Sequence, residues 1–140
     1  MKLFVTIGLA LLLAGSCSER MFTFEIPEGY VGWVTVRFRS ENCGDTKAVT
    51  TTTIRVKSDG TACTSVAAYP TTTLSKFYYV GGGKQKLELS RTGWGEGGMI
   101  WAESTEIDGH EYRFFVGSEQ QLRKSWAARA GAGEMPSAVK

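Results

Sequence analysis

Apolar and polar residues alternate with a period of two along most of the chain beyond residue 20, as in strands that bury one face. In "MFTFEI", Phe22, Phe24 and Ile26 share a face opposite Thr23 and Glu25. In "VGWVTVRFR", Val34, Val36 and Phe38 point one way, and Trp33, Thr35, Arg37 and Arg39 the other. The pattern returns in "TTTIRVK" with Thr52, Ile54 and Val56, and in "QKLEL" with Leu87 and Leu89. "KFYYV" offers Phe77 and Tyr79 or the opposite pair, while "GMIWAEST" and "EYRFFVG" carry aromatics on both faces and leave the buried side open. Between these segments lie "SDG", "AYP", "GGGK", "RTGWGEGG" and "IDGH", built from residues that accept turn geometry. Pro27 and Gly29 in "IPEG" fit the second and fourth positions of a type I turn, which ends the first strand.

One helix is expected, in "SEQQLRKSWAARA". Ser118 and Gln121 have the spacing of a capping box, Glu119 and Arg123 are four apart, and Leu122 and Trp126 share a face that can pack on a sheet. No helical stretch alternates with the strands, which argues against a parallel α/β sheet. The fold class is therefore all-β: seven or eight short strands in an antiparallel β-sandwich or barrel, with one short C-terminal helix.

The first residues follow another pattern. Lys2 precedes the apolar run "LFVTIGLALLLA", which is short of the ~20 residues a membrane-spanning helix needs and has the build of a secretory signal. Leu13-Ala14-Gly15-Ser16-Cys17 resembles a bacterial lipobox, departing from it at Ala14, where leucine is preferred. That resemblance implies cleavage before Cys17 and acylation of its thiol, with membrane lipid as the first partner. Ser18 in the next position implies export to the outer membrane in a double-membraned bacterium, on its periplasmic face. Ordinary signal cleavage would leave Cys17 a plain thiol. The expected organisation is a signal peptide over 1–16, a lipidated tether over 17–20, one sandwich domain over 21–130 and a loose tail over 131–140. A tether of Ser18, Glu19 and Arg20 spans on the order of 10 Å when extended, so the domain would lie against the bilayer.

Composition narrows the chemistry. Three cysteines are an odd number for an exported chain, and acylating Cys17 leaves Cys43 and Cys63 free to form a disulfide across a loop of twenty residues. The alternative is two unpaired thiols. Sixteen basic against fourteen acidic residues in 140 leave the folded part almost neutral, with nothing to steer it to nucleic acid. "GWGEGG" matches a dinucleotide-binding glycine motif letter for letter, but a strand-like segment follows it instead of a helix, so it reads as a hairpin loop. His110, the only histidine, lies beside Asp108 and Glu111 without a candidate nucleophile nearby. A zinc site needs more nitrogen or sulfur ligands than the chain can spare, and no cofactor is implied; Asp59 or Glu103 could bind a hard cation only if the fold gathered carboxylates. Trp33, Trp94, Trp101 and Trp126 could form a binding platform or pack in the core, and Trp94, in a glycine loop without alternation, is the candidate ligand-binding residue.

"FEIPEGYVGWVTVRF", "SDGTACTS", "KFYYVGGGK" and "EYRFFVGSEQQ" together resemble a family of small bacterial secreted proteins and lipoproteins of unknown function. An Ile-Pro-Glu-Gly-Tyr-x-Gly start and a Phe-Val-Gly-Thr-x-x-Gln end recur in it, with Ser118 here in place of the threonine. The resemblance implies a transthyretin-like strand pattern and supplies no catalytic residues. The leading functional expectation is a membrane-anchored, non-enzymatic binding or interaction protein of the cell envelope with an unidentified protein partner. A small-ligand or glycan-binding module using loop aromatics comes second. An envelope hydrolase, third, needs His110 and carboxylates to converge in one pocket.

Overall fold

A computed structural model describes residues 21–47, 51–67, 75–83, 87–91, 95, 97–102 and 109–132. The strands are β1 (Met21–Pro27), β2 (Gly32–Arg37), β3 (Thr46–Lys47), β4 (Thr51–Arg55), β5 (Thr61–Cys63), β6 (Lys76–Val80), β7 (Leu87–Glu88), β8 (Ile100–Ala102) and β9 (Glu111–Val116), followed by helix α1 (Glu119–Gly131). They form two layers, a five-stranded sheet in the order β3-β4-β1-β6-β7 and a four-stranded sheet in the order β5-β2-β9-β8. Among the described residues the outermost strands each span two or three residues.

The sandwich is mixed, not antiparallel as the sequence led us to expect. β1 runs parallel to both its neighbours, with Phe24 beside Ile54 on β4 and Phe77 on β6, and β2 runs parallel to β5. Parallel neighbours need a long crossover, usually a helix. Here the crossover is a strand of the opposite layer. The chain leaves β1, reverses through residues 28–31 into β2, and returns to the first sheet as β3 and β4. It then crosses again through residues 56–60 into β5. The two arches stack: Val56 N–H donates to Glu25 O (2.8 Å) and Thr35 N–H to Gly60 O (2.9 Å). Alternation reports which face of a strand is buried and carries no information on the direction of its partner.

The "IPEGY" segment makes the first arch, one residue later than expected. Tyr30 N–H donates to Pro27 O (3.0 Å), so Gly29 occupies the third turn position with φ +74°, the left-handed conformation of a type II turn. The Tyr30 hydroxyl then donates to Trp33 O (2.7 Å), and its carbonyl accepts from the Tyr79 hydroxyl (2.6 Å).

The alternating residues of β1, β2 and β4 fill the space between the sheets. Phe22, Phe24, Ile26, Val34, Val36 and Ile54 are all buried, at roughly 2 kcal/mol each for side chains of this size. Phe24 stacks on Phe77 (5.0 Å between centroids) and meets the edge of Phe114 (5.3 Å). On β6 the inward pair is Phe77 with half-buried Tyr79. Leu89 is buried, but Leu87, expected beside it, is 62% exposed on β7, the rim strand of its sheet.

Helix α1 covers the outer face of the four-stranded sheet. Leu122 is buried against Trp101 and Phe115, with Trp33 and Trp126 packed around them. This resolves the ambiguity of β9: Phe114 and Val116 face the sandwich interior, while Phe115 faces the helix. The Ser118 hydroxyl accepts from Gln121 N–H (3.3 Å), and the Gln121 side chain accepts from Ser118 N–H (2.8 Å), completing the capping box.

Candidate functional site

The residues singled out in the sequence do not gather in one place. Cys17, Trp94, Glu103 and Asp108 lie outside the described residues. His110 is exposed just before β9, and its carbonyl accepts from Phe38 N–H (2.8 Å). Asp59 closes the second arch, accepting from the Thr61 hydroxyl (2.7 Å) and Thr61 N–H (2.9 Å). Those hydrogen bonds hold its carboxyl below the ordinary carboxylate range. Among the described residues no three His, Cys, Asp or Glu side chains approach closely enough to hold a metal ion. Cys43 and Cys63 are disulfide-bonded, with Cα atoms 5.6 Å apart, fastening the loop after β2 to the end of β5.

Three of the four tryptophans belong to the seam between sheet and helix. Trp33 Nε1 donates to Ser125 Oγ (2.6 Å), and the guanidinium carbons of Arg113 and Arg129 lie 5.5 and 5.0 Å from its ring centroid. Trp101 Nε1 donates to Gly117 O (2.8 Å). These indoles serve packing and do not form an open aromatic platform.

A feature that sequence reading did not find lies where β1 begins. Met21, Ser75, Lys76, Glu88, Leu89, Ser90 and Arg91 line an open cleft of about 410 Å³. Strand pairing builds it: Thr23 lies beside Lys76 and Tyr78 beside Glu88, so the start of β1, the start of β6 and the residues after β7 meet at one end of the five-stranded sheet. Ser75 is 8% exposed, whereas Lys76, Glu88, Ser90 and Arg91 reach solvent. The Arg91 guanidinium carbon stands 5.8 Å from the Phe77 ring centroid. Nearby, the buried Tyr112 hydroxyl has no hydrogen-bond partner among the described residues, and burial pushes its pKa up to about 12 although the Arg91 charge opposes this. The described cleft wall brings together two cations, two hydroxyls and one carboxylate, with no imidazole or thiol to act as a base or nucleophile. That chemistry suits binding an anion. Its residues come from three distant stretches of chain, and no local motif marks them.

No curated protein matches the chain. Its fold is similar to the crystal structure of a candidate lipoprotein from Bacillus anthracis, with a TM-score of 0.53 and 21% identity over 69% of this chain and 68% of that one. The signature of a family of unknown function, DUF6843, matches residues 19–125. That span takes in every strand and the first half of α1, and the chain belongs to this family.

Proposed function

We propose that the protein is a lipid-anchored protein of the bacterial cell envelope that binds a partner without enzymatic turnover. The observation that carries this reading is the start of β1 at Met21, four residues after the cysteine of Leu13-Ala14-Gly15-Ser16-Cys17. An acylated Cys17 would hold the sandwich directly on the bilayer. The fold relative described as a candidate lipoprotein agrees with this. In a double-membraned cell, Ser18 would send the protein to the periplasmic face of the outer membrane.

The non-enzymatic part of the reading rests on how the described residues are used. The space between the sheets is filled by Phe24, Ile26, Phe77 and Phe114, and His110 stands on the surface outside the cleft. Mass spectrometry of the N-terminal peptide from purified membranes tests the anchor. The expected species begins at Cys17 and carries acyl chains; a mature chain beginning elsewhere, or a Cys17 bearing a free thiol, refutes it. Affinity capture from detergent-solubilised envelopes, compared with the same capture after Cys17→Ser, should recover a partner only with the anchored form. Ester or glycoside hydrolysis that disappears in His110→Ala would overturn the non-enzymatic reading in favour of a hydrolase.

A further inference from the structure

We propose that the cleft at the start of β1 seats the phosphate headgroup of an anionic membrane lipid, giving the domain a second, electrostatic hold that fixes its orientation. The proposal rests on the lipid-anchor reading above. Met21 is both the first residue of β1 and a wall of the cleft. Four residues of chain from an acylated Cys17 reach at most about 14 Å, so the cleft stays close to the headgroup layer whatever path the tether takes.

The chemistry matches the location. Lys76 offers a compact ammonium and Arg91 a planar fork of donors, the two cation types that recognise phosphate oxygens. Ser75 and Ser90 add hydroxyls on the same wall, where Glu88 is the one acidic side chain among the described residues. The cleft is open, a shape that admits a headgroup presented by a surface better than a small molecule that must be enclosed. Acyl chains alone retain a protein at the membrane without setting which face turns to it. A basic cleft beside the tether supplies that choice.

The test uses the full acylated protein in vesicles of phosphatidylcholine alone or mixed with phosphatidylglycerol. Amine acetylation is read peptide by peptide, with Lys57, in the arch at the opposite end of β4, as the internal control. A basic side chain near an anionic surface gains about 1 kcal/mol, which predicts roughly fivefold slower labelling of Lys76 in the mixed vesicles. Lys57 should be unaffected, and high salt should remove the difference. Arg91→Gln should weaken the protection and Arg91→Lys should restore part of it, with unchanged circular dichroism. Equal Lys76 labelling in both vesicles with Cys17 acylated overturns the headgroup seat and leaves the anchor standing; absence of acyl groups overturns both. Equal protection by inorganic phosphate over phosphatidylcholine vesicles identifies a free-anion site and overturns the lipid assignment.

Discussion

Replacing Gly60 with alanine tests the stacked arches, because Gly29 offers a control with the same backbone demand. Gly60 has φ +81° and Gly29 φ +74°, so alanine at either position enters the left-handed region at about 1–2 kcal/mol. Loss of chain freedom in the unfolded state returns about 0.4–1 kcal/mol of this. The two sites differ in what a Cβ would meet. At Gly29 nothing lies within 4 Å, whereas at Gly60 the new atom would collide with the Tyr30 hydroxyl and the Trp33 carbonyl oxygen. That oxygen cannot retreat easily, since Trp33 pairs with Phe115 on β9 and its ring is held by Ser125. Overpacking of this kind adds about 1–3 kcal/mol. Gly29→Ala should therefore lose about 1 kcal/mol and Gly60→Ala about 3. With a urea m-value of ~1.5 kcal/mol/M, unfolding midpoints should fall by roughly 0.7 M and 2 M. Equal losses in the two variants would refute close stacking of the arches.

Replacing Cys43 and Cys63 together with alanine should lower stability by about 3 kcal/mol in urea unfolding, from the loop the bond closes, and reductant should do the same to the parent. Tyr112→Phe removes a buried hydroxyl that has no partner among the described residues, so thermal unfolding should show equal stability or a gain of about 1 kcal/mol; a loss of stability would reveal a partner. The Arg123 guanidinium, then Gly95 N–H, hold the Glu119 carboxyl below its ordinary pKa of 4.5. A lowered folded-state pKa means the contribution is complete above that ordinary value and fades as pH falls through the lower folded one. An NMR titration should place the Glu119 carboxyl below a free glutamate, and Glu119→Gln should flatten the acid limb of the helix signal.

The strand faces were legible where one side of a strand meets the core and the other meets water. Phe22, Phe24 and Ile26 on β1 and Val34 and Val36 on β2 are buried as their alternation requires. Alternation failed on β9 because a helix covers its second face, so Phe115 is as buried as Phe114. It failed at Leu87, which lies on the rim strand β7, where no further strand among the described residues flanks it. Pro27 and Gly29 announced a turn, but its register depends on which residue takes positive φ, and composition alone permits either frame. The helix was legible in full, from the Ser118 cap to the Leu122 contact, since every determinant lies within one short stretch. The cleft was invisible for the opposite reason. Met21, Lys76 and Arg91 become neighbours only through the pairing of β1 with β6 and β6 with β7, which no local pattern encodes.

The brevity of β5, at one edge of the four-stranded sheet, bears on crowding. If acyl chains confine copies of this domain to a plane, lateral collisions between them become far more frequent than in free solution. Long bare margins would then invite strand-by-strand growth into fibrils. At the β5 margin, three residues expose too few backbone groups to start such growth, so copies packed side by side stay separate along that edge.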